Sequence, residues 1–279
     1  PYQCGDVRSV VVRQVRAGRC VAESVLNQIC ANDVSVPVGK LVYTQWLNER
    51  GGIEADVTIT REALDRYLIV TAAATQVRDF AWLKDHIPAG ARAVAVDVTS
   101  GQATLSMMGP NSRALLQGLT HADLSNEAFP FGTSQIIDLG YARVRASRVT
   151  YVGELGWELY IPTEFSAGVF DTLVDAGRQF GMRHAGYHAL NSLRTEKGYR
   201  HWGHDITPDD TPLEAGLGFA VSWKKPDGFF GREVLDKQRT EGLHRRRQSS
   251  WPRQNEDGRH GIASGRSDHH RSARETDRH

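Results

Sequence analysis

Four polar residues stand inside apolar or glycine-framed segments, where their types could do chemistry. Asp56 lies in Gly51-Gly52-Ile53-Glu54-Ala55-Asp56-Val57-Thr58-Ile59. Strand alternation puts it on one face with Glu54 and Thr58, opposite Ile53, Val57 and Ile59. Glu158 interrupts Gly156-Trp157-Glu158-Leu159-Tyr160, seven residues after Tyr151. Arg194 sits in the helical stretch Leu190-Asn191-Ser192-Leu193-Arg194-Thr195-Glu196-Lys197-Gly198, and Trp202 follows in His201-Trp202-Gly203-His204-Asp205-Ile206. Carboxylates move protons and accept charge-assisted hydrogen bonds, a guanidinium forks onto oxygen acceptors, and aromatic rings offer stacking area. Each residue alone also has a plainer reading: Asp56 as a solvated rim residue beside Gly-Gly, Glu158 as an exposed strand position, Arg194 as a surface helix charge pairing with Glu196 or Asp205, and the aromatic residues as core.

The elements that must position these residues read clearly. Ala22, Val25, Leu26, Ile29 and Cys30 recur at helical spacing. Lys40 to Leu47 and Ile53 to Thr60 read as strands joined through Glu49-Arg50-Gly51-Gly52, where paired glycine supplies the positive φ of a tight connection. Further strands are expected at Tyr67 to Thr71, Ala93 to Val98, Ala103 to Met108, Ser134 to Leu139, Ala142 to Tyr151 and Trp157 to Ile161. Helices are expected at Thr75 to His86, Asn111 to Gly118 behind Pro110, Phe165 to Phe180 and Tyr187 to Lys197. Strand pairs with tight turns and interspersed helices indicate an α+β fold with mainly antiparallel sheets.

Familiar cofactor and catalytic motifs are missing from this pattern. Gly216-Leu217-Gly218 lacks the third glycine of a dinucleotide fingerprint and no βαβ unit surrounds it, so no NAD or FAD site is expected. There is no GxxxxGK[ST] loop and no GxSxG elbow. His184 and His188, or His201 and His204, could face a metal, but no third ligand follows at zinc-site spacing, and no metal is expected.

Of the 279 residues, 40% are apolar and 24% charged, and the net charge is +1. No run approaches the roughly 18 apolar residues of a membrane span. The first residues lack a signal-peptide pattern, and Cys4, Cys20 and Cys30 match neither a metal knuckle nor a disulfide framework. A cytoplasmic location, or a mitochondrial matrix in a eukaryote, with no nucleic-acid or membrane partner, is the expectation. The near-neutral total conceals a split. Residues from Thr240 to His279 carry nine Arg, no Lys, six acidic residues and five His, leaving 25 basic against 27 acidic residues before them. That tail cannot bury a core and is expected to be disordered, with a composition like an out-of-frame translation.

Three segments carry a resemblance: Trp46-Leu47-Asn48-Glu49-Arg50-Gly51-Gly52-Ile53-Glu54-Ala55-Asp56, Tyr151-Val152-Gly153-Glu154-Leu155-Gly156-Trp157-Glu158, and Ser192-Leu193-Arg194-Thr195-Glu196-Lys197-Gly198-Tyr199-Arg200-His201-Trp202-Gly203-His204-Asp205-Ile206. They resemble the glycine-cleavage T-protein (aminomethyltransferase) family and, within it, the tetrahydrofolate-binding half of dimethylglycine and sarcosine dehydrogenases. The likeness runs from about Glu23 to about Gln238. It divides the chain into a poorly matching segment 1–22, a folate-binding domain 23–239 and a tail 240–279.

The resemblance implies subdomains arranged around a central channel for tetrahydrofolate, with the closing barrel subdomain of the family absent. It makes Asp56 the catalytic residue, Glu158 the carboxylate that accepts the pterin's paired N–H groups, and Arg194 the guanidinium lying with it. Tyr43, Tyr151 and Trp202 are the rings along the folate, and Lys224, or its neighbour Lys225, is the basic residue near the glutamate tail. The implied reaction transfers an aminomethyl or methylene unit to give 5,10-methylenetetrahydrofolate. The donor is a small molecule, supplied in the dehydrogenases by a flavin domain and here by a separate flavin oxidoreductase. Thr60 replaces a second folate-facing tyrosine of T-proteins, and Tyr199 replaces the cysteine that marks the iron–sulfur assembly relatives. A methyltransferase like the dimethylsulfoniopropionate demethylases, a non-catalytic folate binder and a truncated fragment remain the alternatives.

Overall fold

Alternation of apolar residues between positions 41 and 72 builds the first of the two sheets found among the described residues. The computed structural model describes residues 7–14 and 21–243. Cys4, Cys20 and the tail from 244 onward, on which the expectation of disorder falls, lie outside the described residues. Strands β1 (Val7–Gln14), β2 (Leu41–Leu47), β3 (Ile53–Ala63), β4 (Arg66–Ala72) and β5 (Ala93–Asp97) form an antiparallel sheet in the order β2-β3-β4-β1-β5. Helices α1 (Val21–Ile29) and α2 (Gln76–Asp85) accompany it. Ala22, Val25, Leu26 and Ile29 form the buried stripe of α1. Ala22, Leu26 and Ile29 meet Trp46, Val57, Ile59, Tyr67 and Ile69 in one apolar core. Strand β1 falls inside the segment expected only to match poorly; its signal is the β-branched run Val10-Val11-Val12.

The second sheet has the order β6-β9-β8-β7, from β6 (Gln102–Met108), β7 (Ser134–Leu139), β8 (Ala142–Ser147) and β9 (Gly156–Pro162). Helices α3 (Ser112–Gln117) and α4 (Ser166–Gly177) contribute Leu115, Leu116, Val169 and Leu173 to its core around Trp157, Phe129 and Leu159. Strand β8 ends at Ser147 rather than running to Tyr151. The Thr150 hydroxyl accepts hydrogen bonds from the backbone N–H groups of Val152 and Glu154, each 3.2 Å, and Gly153 takes φ +71°. This local bonding draws the chain out of the ladder and leaves Tyr151 on a loop. Short 3-10 turns at 163–165 and 178–180 flank α4, so the long expected helix is three pieces.

A third core brings Ala31, Leu47 and Ile53 together with Ile206, Ala215, Leu217, Val221, Phe229 and Leu235. It gathers the irregular segment after helix α5 (Tyr187–Glu196) and helix α6 (Arg232–Glu241) against the tip of the β2–β3 hairpin. Helix α6 was not expected from the sequence, and it crosses the expected boundary at residue 239.

The hairpin turn is the tightest joint. Asn48 Oδ1 accepts from the N–H groups of Arg50 and Gly52, both at 2.9 Å, and Gly51 sits at φ +74°. Ile53 N–H reaches the Asp210 carbonyl at 3.0 Å. A Cβ on Gly52 would collide with the Pro208 carbonyl. The two sheets meet where Ser134 N–H bonds the Gly39 carbonyl at 2.7 Å and Arg145 pairs with Glu62 at 2.9 Å, both side chains close to fully buried.

The Gly52→Ala variant must therefore push the hairpin away from the 207–210 segment. We expect a loss of about 3 kcal/mol, seen as a melting point lower by about 6–12 °C in circular dichroism. A change of under about 2 °C would mean that the two segments are not held this closely.

Candidate active site

Register places Gln45 directly across from Asp56 and Tyr43 across from Thr58, so three side chains of one sheet face converge. The Tyr43 hydroxyl donates to Asp56 Oδ2 at 2.9 Å, and Gln45 Nε2 donates to Oδ1 at 2.9 Å. Asp56 is half-buried, not the solvated rim residue of the plainer reading. Burial pushes its carboxyl from the ordinary 3.8 up to about 6, against the opposing pull of the two donors. The Tyr43 phenol is pushed well above its ordinary range by burial and then by the Asp56 charge.

Tyr151 reaches the same neighbourhood from its loop. Its hydroxyl donates to the Arg200 carbonyl at 2.8 Å, and its ring stacks on Tyr199 with centroids 6.2 Å apart. Burial raises its phenol pKa; the Arg194 charge opposes this, and Asp56 and Asp205 add to it. Tyr151 therefore lies within electrostatic reach of Asp56 and of Arg194.

Arg194 is buried, and the end of α5 explains why. Tyr199 N–H bonds the Arg194 carbonyl and Gly198 N–H bonds the Thr195 carbonyl, both at 3.0 Å, with Gly198 at φ +70°. This is a Schellman cap, in which a left-handed glycine turns the chain back over the helix end. The Arg194 guanidinium then bonds the Tyr199 carbonyl at 2.9 Å, the Asn191 amide oxygen and Asp205. Its hydrogen bonds go to this segment rather than to Glu158. Trp202 is held next along: its Nε1–H donates to the Ile53 carbonyl at 2.8 Å, and the Arg78 guanidinium lies 3.9 Å from its ring centroid.

Glu158 stands on β9 of the other sheet, paired with Ser106 and Ser147. Tyr160 donates to its Oε2 at 2.7 Å, and burial raises its pKa despite that bond. Two residues along, the register sets Tyr160 beside Arg145, whose ion pair with Glu62 leads to β3, the strand of Asp56. The polar faces bearing the two carboxylates are therefore tied together by one shielded ion pair.

Of the two lysines, Lys224 is exposed, whereas Lys225 is buried. The Lys225 ammonium donates to the carbonyls of Asn27, Cys30 and Asn32, closing the end of α1, and burial lowers its pKa to about 8. Cys30 is fully buried, its thiol pushed up to about 12. Among the described residues, no His, Cys, Asp or Glu group could hold a metal ion, and no helix is long and apolar enough to cross a membrane.

Sequence reading missed Gln45, Tyr160, Arg78 and Phe219. Phe219 stacks on Tyr43 with centroids 6.0 Å apart while remaining 76% exposed. Only Gln45 had a signal, as a polar residue between Thr44 and Trp46 two positions from Tyr43; the others depend on tertiary neighbours.

Between pH 3.8 and about 6 the folded chain keeps a proton on Asp56 that the unfolded chain has released. The contribution of Asp56 to stability therefore falls as pH rises through that window and stays lost above it. Asp56→Asn has no charge to bury. Its stability relative to the parent should rise by about 1–2 kcal/mol from about pH 4 to about pH 7.5, after discounting for partial exposure, as read by urea unfolding at both pH values. An equal difference at the two pH values would refute a raised carboxyl pKa.

The GCVT N-terminal domain model matches residues 17–225. The chain is 46% identical over 205 residues to 4-methylaminobutanoate oxidase (formaldehyde-forming) of Paenarthrobacter nicotinovorans, a match covering 74% of this chain and 25% of that protein. It is 42% identical over 228 residues to human mitochondrial sarcosine dehydrogenase, covering 77% and 25%. It thus spans about a quarter of the length of these relatives. Among solved structures, the glycine cleavage system aminomethyltransferase T of Bartonella henselae superposes with a TM-score of 0.74 at 26% identity, covering 86% of this chain and 62% of that one. The matched span contains Tyr43, Asp56, Glu158, Arg194 and Trp202, and the chain belongs to the GCVT N-terminal domain family.

Proposed function

We propose that the chain is a tetrahydrofolate-binding one-carbon transfer module with Asp56 at its reacting end. The observation that carries this reading is Asp56 itself. It is a carboxylate inside a sheet, gripped by two donors, still partly open to solvent and flanked by Tyr43 and Tyr151.

The residues present suit a reduced folate. Its pterin offers an amide N–H beside an exocyclic amine, a two-donor edge for a carboxylate. Glu158 supplies one, and because each carboxylate oxygen has two acceptor positions, the Tyr160 hydroxyl leaves the group able to accept both. Tyr43, Tyr151 and Trp202 supply rings along the ligand, and Lys224 a charge for its glutamate tail. Arg194 acts through its charge and by anchoring the segment that carries Trp202. Joining a methylene unit to a folate nitrogen develops positive charge there and releases a proton. Asp56 stabilises the charge and takes that proton; the second folate nitrogen then bonds the same carbon as the donor's amine leaves with the other nitrogen's proton, giving 5,10-methylenetetrahydrofolate. The one-carbon donor is a small amine oxidised by a separate flavin oxidoreductase; the relatives above are named as an oxidase and a dehydrogenase of methylated amines.

Titration with tetrahydrofolate should raise the melting point progressively, because ligand binding to the folded state stabilises it by mass action. Glu158→Gln should weaken that binding by about 10-fold to 100-fold. Asp56→Asn should bind normally but lose about 100-fold or more in methylenetetrahydrofolate formation when a flavin amine oxidase supplies the donor. Absence of any melting shift at saturating tetrahydrofolate would remove the folate reading, and unchanged turnover in Asp56→Asn would remove the catalytic assignment.

A further inference from the structure

Gln45 carries more than its one hydrogen bond suggests. Its side chain is fully buried, its Nε2 is committed to Asp56 Oδ1 at 2.9 Å, and its Oε1 is buried with no hydrogen-bond partner among the described residues. A buried amide oxygen without a donor is costly, so such an atom marks either strain or a partner present only in another state. The partner nearest to hand is Asp56. When ionised, Asp56 is an acceptor on both oxygens; when protonated on Oδ1, it becomes a donor there. The two ends of a glutamine amide have nearly the same size, so a half-turn about its last torsion exchanges Nε2 and Oε1 without any change in packing volume. Among the described residues nothing is bonded to Oε1, so reversal breaks no bond there and the charge on Asp56 can bias which way the amide lies.

We propose that Gln45 is a positioning residue for Asp56 and that its amide reverses as Asp56 gains or loses a proton, so that the carboxyl group stays in place in both states. The functional meaning of this rests on the reading of Asp56 as the transfer residue. Tyr43 meets the other oxygen, Oδ2, where its hydroxyl can donate or accept, so the Gln45 amide is the group that must reverse when the proton sits on Oδ1. The groups facing Asp56 are few. Tyr43 and Gln45 come from β2, and Tyr151 comes from the loop after β8. Arg194 and Asp205 act on Tyr151 with opposite signs, and Glu54, on the same strand face, accepts from Asn48. Burial of the carboxylate sets the raised pKa, and Gln45 is the first of the two donors that restrain it. A site that must release a proton near neutral pH without losing its geometry gains from such a partner, because a fixed donor would repel the protonated form.

The test is a carboxyl titration of the full chain without folate or donor, by carbon NMR of aspartate-labelled protein, with Asp56→Asn identifying the Asp56 signal. In Gln45→Leu, loss of the restraining donor should raise the Asp56 midpoint by about one pH unit. In the parent, the Gln45 side-chain nitrogen signal, identified by its loss in Gln45→Leu, should titrate with the midpoint of Asp56. In turnover, the pH profile of Gln45→Leu should shift in the same direction, with the folate KM changed less than about twofold. An unmoved Asp56 midpoint in folded Gln45→Leu would overturn the proposal. So would a Gln45 nitrogen signal that is flat across the Asp56 titration, which is read in the parent and survives any folding defect of the variant. Both readings are taken without substrate, so they stand or fall separately from the turnover of Asp56→Asn.

Discussion

The constraint on which the site depends is the register between β2 and β3. A carboxylate taken partly out of water inside a sheet must be met by donors, and here both donors come from the neighbouring strand. Shifting the pairing by one residue would turn Tyr43 and Gln45 to the opposite face and leave Asp56 beside Thr44 and Trp46. The turn from Asn48 to Gly52 prevents this: Asn48 binds two backbone N–H groups of the turn, and Gly51 supplies the left-handed residue. The third core then closes over the same turn through Ile53, whose N–H and carbonyl are taken by Asp210 and by Trp202. The joint that sets the register is thus also the joint that holds Trp202 against the start of β3.

The second dependence is electrostatic. The sheet with Glu158 and the sheet with Asp56 are linked by the shielded pair of Glu62 and Arg145. An ion pair of this kind adds little net stability, because desolvation offsets most of the attraction, but breaking it leaves an uncompensated charge. Its effect is directional: it fixes how the two polar faces meet. Arg194 follows the same logic, since a buried guanidinium must be surrounded by acceptors. It gathers Asn191, Asp205 and the Tyr199 carbonyl and so ties both ends of the segment 199–205 to the end of α5.

Much of the fold was legible before the structure. The stripe of α1, the β2–β3 hairpin and the strands of the second sheet follow from periodicity, because one buried face imposes a repeat of two or 3.6 residues. The misses have physical causes. Strand β8 stops at Ser147 because the hydroxyl of Thr150 competes for backbone N–H groups. Helix α6 is so polar that a single side chain, Leu235, is its buried anchor. The two lysines cannot be separated by pattern at all: Lys225 is buried only because the end of α1 offers it three carbonyls.

The sequence by itself determined the α+β class and the family, and it singled out Asp56, Glu158, Arg194 and the rings Tyr43, Tyr151 and Trp202 as candidates. These are properties of local pattern and of motifs that read along the chain. What only the tertiary structure decided is how each side chain is used. Asp56 is perturbed because Tyr43, Gln45 and burial act on it together, Arg194 serves the segment carrying Trp202 rather than Glu158, and Tyr160 holds Glu158. Hydrogen-bond partners and desolvation depend on residues far apart in sequence, and no periodicity encodes them.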